Sequence, residues 1–256
     1  MFYWFTFVFD KLIIMATFFR DKVVLISGEV TPLSMGIIHS FLNENAIVVF
    51  PAKSLHQIDT IKSFRNINQY ENFITLLIDV MDFDKVIETC ETIKEKFSKI
   101  DISIEIPEFS SCQKNLTEAS IDEWNNMMET SMVPFFMGAR IVLNLMKGNA
   151  GGMFVHISDS RFFDNLKSCA LARVAFSTRM EMSKIFAEEA QGNGIRYYHL
   201  WAQDSPGKES ALSAGGAPER SPETISREIM DLYRQENYST DMALQFFPKQ
   251  LLHQEA

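Results

Sequence analysis

The sequence is short of the residues that mark several classes of protein. Its three cysteines, Cys90, Cys112 and Cys169, are far apart and form no CxxC pair. This predicts neither a disulfide framework nor a metal site, and it indicates a reducing compartment, so we expect a cytoplasmic protein. No block of basic residues occurs, and the net charge is −9. Nucleic acid is therefore not an expected partner, because phosphate contacts need clustered Lys and Arg.

A membrane-spanning run is also missing. The N-terminus, MFYWFTFVFDKLIIMATFF, is strongly apolar, but Asp10 and Lys11 interrupt it, and no basic region or small-residue cleavage site marks a signal peptide. We expect residues 1–20 to be an apolar extension without a membrane span. No repeat, low-complexity stretch or long linker divides the rest, so residues 21–248 are predicted to form one domain, followed by a short tail, 249–256.

The remainder alternates short apolar runs with helix-length segments. Strand-like runs occur at 23–27, 46–50, 74–78, 101–106, 153–157, 195–200 and 243–247. Helical segments lie near 32–44, 55–65, 83–97, 121–147, 168–192 and 222–235. Strands that alternate with helices imply right-handed crossovers and a parallel sheet covered on both faces. The predicted fold is α/β, a Rossmann-type doubly wound parallel sheet in three layers, α/β/α.

The turn after the first strand has part of a nucleotide-binding pattern. In SGEVTPLS, residues 27–34, Gly28 permits a sharp exit from the strand. Pro32 has no N–H, and Ser34 carries a side chain, where glycines would let the backbone approach a pyrophosphate. Thr31 and Pro32 are instead well suited to begin a helix, as N-cap and first helical residue. The segment is therefore well suited to begin a helix but lacks part of the backbone that would bind a phosphate.

Several stretches together resemble the short-chain dehydrogenase/reductase family over about residues 21–248. SGEVTPLS has the spacing of the family's TGxxxGxG turn, and DVMDFDKV matches its Asp-Val beside the adenine, here Asp79 and Val80. DEWNNMMETSM matches a long helix that begins with a Trp, MSKIFAEEAQGNGIRYY the helix and strand after the active site, and NYSTDMALQFF the closing segment. The resemblance implies the fold predicted above and an NAD(P)-dependent oxidoreductase ancestry.

The family's catalytic Asn-Ser-Tyr-Lys tetrad is not found at the matching positions. Gap-free counting places the Asn at Ser131, the Ser at Asp159, the Tyr at Ala172 and the Lys at Phe176. Ala172 has no proton to transfer, and Phe176 can neither stabilise a phenolate nor hold a ribose. Asp159 puts negative charge beside the developing oxyanion, which is the wrong sign. We expect the usual carbonyl reduction to be lost, although whether the protein is an enzyme of another kind stays open.

The expected cofactor is none, or weakly bound NADP. The family's Asn-Asn-Ala-Gly segment reads EIPE here, and the carboxylates of Glu105 and Glu108 are expected to repel a dinucleotide. Lys53 lies where a family member would contact the 2′-phosphate of NADP, but it also suits a solvated loop charge, as Asp79 suits a strand-end cap. The vestigial cofactor positions are Gly28, Ser34, Lys53, Asp79 and Val80.

A second candidate site is HISDS, residues 156–160, at the carboxyl end of a strand. His156 and Asp159 could serve as a repurposed acid/base pair for lyase or isomerase chemistry. Alternation puts His156 and Ser158 on one side of the strand and Asp159 on the other. A nucleophilic triad would need an elbow and a separately oriented base, and the local sequence has neither.

Three hypotheses follow for function. The first is a non-catalytic homologue (a pseudoenzyme) that acts by binding, as a homodimer or as the silent subunit of a hetero-oligomer with an active relative. The resemblance implies that assembly would use the helices at about 121–147 and 168–192. The second is an enzyme with repurposed non-redox or cofactor-independent chemistry in the vestigial pocket. The third is a residual NADP-dependent oxidoreductase with an unusual proton donor.

Overall fold

The computed structural model describes residues 18–64, 67–78, 82–106, 114–148, 151–159, 169–202, 221–235 and 244–247. The strands are β1 Val23–Gly28, β2 Ile47–Ala52, β3 Phe73–Leu77, β4 Ile102–Ile106, β5 Gly152–Asp159, β6 Ile195–Ala202 and β7 Leu244–Phe247. The helices are α1 Pro32–Asn43, α2 Leu55–Ser63, α3 Phe83–Phe97, α4 Ile121–Met127, α5 Val133–Lys147, α6 Ala170–Ala190 and α7 Pro222–Arg234. These elements agree closely with the predicted order.

The described strands form one parallel sheet in the order β3-β2-β1-β4-β5-β6-β7. The chain begins in the middle of the sheet, moves to one edge through β2 and β3, and returns beside β1 at β4 to reach the other edge. The order of the strands therefore reverses between β1 and β4, and α/β folds of this kind bind ligands at that reversal. The predicted doubly wound fold is confirmed.

Each face of the sheet carries its own hydrophobic core. Val24 and Ile26 of β1 belong to the core under α1 and α7, whereas Val23 and Leu25 belong to the core under α5 and α6. Successive side chains of a strand point to opposite faces, so a continuous apolar run is what a doubly covered strand needs. The apolar run of β1 therefore contributes to the cores on both faces of the sheet.

The packed domain already includes the last residues of the predicted N-terminal extension. Phe19 is fully buried, with its ring 5.6 Å from that of Phe41 and 5.8 Å from that of Tyr233. The guanidinium of Arg234 lies 4.9 Å from the Phe19 ring centre. The remaining extension, 1–17, is outside the described residues. Among the helices that are described, none is long and apolar enough to cross a membrane.

The helix predicted over 121–147 is interrupted. A π-helical turn, Met128–Met132, separates α4 from α5. Pro134, in the first turn of α5, has no N–H to donate and its ring clashes with the carbonyl four residues earlier, so a regular helix cannot run through this point. Such wide turns are often found at functional sites, and this one contains Ser131.

Cys169 departs from the expectation of a chain without disulfide bonds. It is disulfide-bonded, and its sulfur also lies 3.4 Å from the backbone N of Ala172 at the start of α6. Disulfides are uncommon in reducing compartments. The cytoplasmic location stays a prediction.

Candidate functional site

The turn between β1 and α1 requires glycine for a structural reason. Gly28 has φ +116°, and a Cβ there would lie 1.6 Å from the carbonyl oxygen of Ile106 on β4. The next residue, Glu29, donates its backbone N–H to that same oxygen at 3.2 Å. Gly28 thus permits the sharp exit that the sequence predicts, and it does so by letting β1 and β4 approach closely.

Ser34 belongs to the start of α1. Its hydroxyl accepts the N–H of Thr31 at 2.8 Å and donates to the Thr31 carbonyl at 3.0 Å, while the Thr31 hydroxyl accepts the N–H of Ser34 at 3.2 Å. This is a capping box, and Ser34 is fully buried within it. Helix N-termini bind anions through their free N–H groups. Here Pro32 has none, and that of Ser34 is already bound.

A glutamine joins the ends of β1 and β2. The Gln57 side chain accepts the N–H of Lys53 at 2.8 Å and donates to the Gly28 carbonyl at 3.0 Å. Lys53 lies just past β2 and lines the pocket described below. The two remaining predicted cofactor positions, Asp79 and Val80, are outside the described residues. Gln57 itself was missed in the sequence because its role depends on a strand that is 29 residues away.

A buried ionic network crosses the sheet beside this turn. Glu105 of β4 lies 2.6 Å from Nδ1 of His156 and 3.2 Å from a guanidinium nitrogen of Arg179 on α6. The contact with His156 is short but poorly directed for a hydrogen bond. Arg179 also donates to the Ser131 hydroxyl at 3.2 Å, and its guanidinium lies 5.4 Å from the Phe135 ring centre. The network therefore links β4, β5, α6 and the π turn.

The network is electrically balanced. Burial by itself would raise the pKa of Glu105, but the charge of Arg179 and the contact with His156 hold this pKa below its usual range. Burial lowers the pKa of His156, and we assign the neutral imidazole, with Nδ1–H facing the carboxylate. His199 stacks edge-on against His156 at 4.8 Å, and burial places its pKa well below the usual value. One carboxylate thus faces one guanidinium.

This balance corrects the expectation that Glu105 would repel a dinucleotide. Its charge is neutralised by Arg179, which the sequence did not reveal as a partner, because 74 residues separate the two. A signal for Arg179 did exist. It is a lone cation on the buried face of α6, three residues after Phe176 and seven after Ala172. Glu108 is outside the described residues.

The predicted pair of His156 with Asp159 stays a prediction, and the structure gives His156 a different neighbour. His156 pairs with Glu105, because the parallel register of β4 and β5 sets these two residues side by side. Asp159 is three residues further along the chain, at the last position of β5. Its side chain is not among those described. Since His156 is 2% exposed, it also has little access to a substrate.

The two positions matched to the Tyr and Lys both lie on α6. Ala172 is in the first turn and packs beside a small cluster of Met127, Met132, Leu171 and Ala175. Phe176 is one turn further on and is partly buried. Ser131 reaches the same helix through Arg179. The structure therefore brings Ser131 and α6 together through this hydrogen bond.

Tyr197 on β6 is a buried tyrosine that interacts electrostatically with Glu105 and Arg179. Burial raises the pKa of its phenol, and its hydroxyl lies 3.3 Å from that of Ser183. A phenol with a raised pKa gives up its proton less readily, so Tyr197 is poorly suited to acid catalysis. No group of residues able to hold a metal ion occurs in the described part of the chain.

A pocket of about 440 Å³ opens at the reversal of strand order. Its interior is apolar and lies between the sheet and helices α3 and α5, with walls that include Leu25, Val86, Ile93, Val142 and Phe154. Its polar rim includes Lys53, Ser54, Gln57, Glu105, Glu129, Thr130, Ser131 and Arg179. The size and lining are those of a small-molecule site.

The fold and this site define a protein with a dinucleotide-binding type of α/β architecture. The chain matches the sequence profile of the short chain dehydrogenase family over residues 22–168, and it belongs to that family. It is 21% identical over 177 residues to an uncharacterised oxidoreductase of Staphylococcus saprophyticus, covering 69% of this chain and 75% of that protein. It is 22% identical over 178 residues to the uncharacterised oxidoreductase YvrD of Bacillus subtilis, of which the match spans 65%.

Solved structures of the same fold are similar over most of the chain. A short chain dehydrogenase from Mycobacterium smegmatis superposes with a TM-score of 0.71 at 17% identity, covering 89% of this chain and 91% of that one. ElxO with NADP bound superposes with a TM-score of 0.72 at 19% identity, covering 88% and 96%. The family profile ends at residue 168, so the assignment of Ala172 and Phe176 rests on spacing.

Proposed function

We propose that this protein has lost nicotinamide-dependent carbonyl reduction and acts by binding and assembly. The observation that carries the proposal is the contact of Arg179 with both Glu105 and Ser131. These side chains lie at the rim of the pocket, and Ser131 is at the position where the family's Asn would support a proton relay. Here they bind one another, so the polar groups of the site serve the packing of α6 against the sheet.

The chemistry of the matched positions supports the same proposal. A positioned general acid or base typically contributes 10²–10⁴-fold to a rate. Ala172 has no ionisable group, and Phe176 carries no charge to lower the pKa of a neighbour. Arg179 is a cation on the same face of α6, but its charge is already compensated by Glu105. A phenol introduced at residue 172 would therefore have no uncompensated positive charge beside it to lower its pKa.

Cofactor binding is expected to be absent or weak. The described charged residues around the pocket are Lys53, Arg179, Glu105 and Glu129, whose formal charges cancel. A dinucleotide brings at least two negative charges, which such a rim does not favour. The first turn of α1 is also poor in free N–H groups because of Pro32 and Ser34.

Assembly would use the surface of α4, α5 and α6. Large apolar side chains are exposed there, and Ile121, at 70%, is the most exposed of them. The set is Ile121, Trp124, Met128, Phe136 and Ile185. We propose a homodimer, or a hetero-oligomer with an active member of the family, in which this surface is covered. Apolar patches of this kind on a single chain commonly mark interaction sites.

Sedimentation at micromolar concentration tests the assembly. Wild type is expected at twice the 29.4 kDa of one chain, or bound to an active relative when one is added. Phe136→Glu should shift the protein to the monomer, because a charge buried in an interface is strongly unfavourable. Ile87→Glu on α3 is the matched control, since Ile87 is also exposed but lies outside this surface. A wild-type monomer that binds no relative would contradict the proposal.

A residual NADP-dependent oxidoreductase is the second candidate. It is favoured by the similarity to two proteins described as oxidoreductases and to ElxO, whose structure holds NADP. The Gly28 turn and Lys53 are features that such an enzyme would use. A repurposed acid/base site has less support, because its histidine is buried behind Glu105.

One experiment separates these functions. Oxidation of NADPH and NADH is followed with a panel of ketones, and calorimetry measures the binding of both cofactors. We expect no turnover and no binding in the low micromolar range. The double variant Ala172→Tyr, Phe176→Lys should stay inactive. Turnover by the wild type would overturn the proposal. Turnover by that variant alone would show that the cofactor site is more intact than proposed, and wild-type turnover abolished by Asp159→Ala would favour the repurposed site.

A further inference from the structure

The interior of the pocket is not explained by an ancestral dinucleotide site. Two of the predicted cofactor positions, Gly28 and Lys53, line its rim at the ends of β1 and β2. Behind the rim the pocket extends between the sheet and the helices α3 and α5, where its walls are side chains such as Ile93, Ala139 and Val142. Protein interiors are normally packed without voids of this size. The interior is therefore suited to an apolar group.

The charges at the rim indicate what kind of molecule could enter. Arg179 and Glu105 compensate each other at 3.2 Å, and Lys53 and Glu129 carry opposite charges. The chain as a whole has a net charge of −9, which disfavours an anion. Hydrogen-bonding groups without charge are present at the rim in Ser54 and Thr130. The mouth is polar but electrically neutral.

We infer that the pocket binds an uncharged, largely apolar small molecule with one hydrogen-bonding end. The apolar body would lie between the sheet and the helices α3 and α5, and the hydroxyl or carbonyl end would lie at the rim. At roughly 30 Å³ for a water-sized group, 440 Å³ has room for about fifteen such groups. This inference deepens the proposed function, since it gives a ligand class to the same site.

Straight-chain alcohols are the probes that test it. Calorimetry with 1-hexanol, 1-octanol and 1-decanol should show affinity rising about fourfold for each added methylene, the ratio expected for burying each one. Decanoate, which differs from decanol in its charged end, should bind at least tenfold more weakly. Equal affinity for decanoate and decanol, or no dependence on chain length, would overturn the inference.

Variants that fill the interior of the pocket test whether the ligand binds there. Ser103 and Ala139 are both buried and both line the interior. Ser103→Leu and Ala139→Leu should each lower the affinity for decanol at least tenfold. Asn144→Leu adds the same side chain to α5 on its exposed side, outside the pocket, and should leave the affinity unchanged. Unchanged affinity in both filled variants, once each is shown to be folded, would overturn the inference.

The outcome is distinguishable from that of the proposed function. If decanol does not bind and the protein also shows no turnover, the inferred ligand class is wrong but the proposed loss of carbonyl reduction still holds. If decanol binds and the protein oxidises NADPH, the proposed loss of activity is wrong but the inferred apolar site still holds. Displacement of bound decanol by low micromolar NADPH would overturn both.

Discussion

Replacing Arg179 with methionine gives the sharpest test of the buried network. The guanidinium is 5% exposed and lies 3.2 Å from the Glu105 carboxylate, which is 13% exposed. Methionine retains the apolar length of the side chain but leaves Glu105 without its cation. Breaking a buried ion pair at one partner costs about 3–5 kcal/mol. Since domains are stable by about 5–15 kcal/mol, we expect a protein that folds but is severely destabilised.

Urea unfolding measures the effect as a change in the free energy of unfolding, and an unchanged m-value would show that the unfolding transition itself is the same. Arg173→Met is the control, because Arg173 is an exposed arginine on the same helix, α6, and its loss should change stability by less than about 0.5 kcal/mol. The double variant Arg179→Met, Glu105→Gln should recover most of the loss, because no charge is then left buried alone.

The pH dependence of stability tests the same ion pair independently, because its direction can be predicted. In the wild type the pKa of Glu105 is lowered, so its contribution to stability is present above the ordinary carboxyl pKa and is lost as pH falls through the folded value. In Arg179→Met burial dominates and raises that pKa. The deficit of the variant should therefore shrink as pH falls from 7 towards 5. A loss below 1 kcal/mol, or a deficit that grows on acidification, would refute the proposed role of the pair.

Two further predictions concern buried groups on either side of the site. Burial lowers the pKa of both His156 and His199, so below about pH 6.5 the unfolded chain binds more protons than the folded chain. The free energy of unfolding should therefore fall by up to about 1.4 kcal/mol per pH unit for each histidine as the pH is lowered. His199→Phe should remove one such contribution in urea unfolding at pH 7.5, 6.5 and 5.5, and an unchanged slope would contradict it. Gly28→Ala should cost more than about 3 kcal/mol, because its φ is positive and its Cβ would overlap Ile106. Gly138→Ala should instead raise the melting temperature, because a Cβ there meets nothing within 4 Å and alanine is favoured over glycine in a helix by about 0.5–1 kcal/mol. A Gly138→Ala variant that melts below Gly28→Ala in thermal unfolding would contradict this geometry.

Local features were accessible from the sequence because they depend on near neighbours. The alternation of strands and helices follows from apolar periodicity, which each segment carries by itself. Thr31, Pro32 and Ser34 specify the start of α1 through contacts within four residues. Gly28 was identified as the turn residue for the same reason. The absence of a Tyr and a Lys at residues 172 and 176 can likewise be read directly, although their assignment rests on spacing.

The content of the site depended on tertiary structure. Nothing near His156 in the chain indicates that its partner is Glu105, because the pairing arises from the register of β4 against β5. Arg179 reaches Glu105 only once α6 has docked on the sheet. The pocket is a property of the space left between elements, which depends on how helices α3 and α5 sit on the strands. Periodicity determines which face of an element is buried, but the distance and register between elements are decided only when the whole core packs.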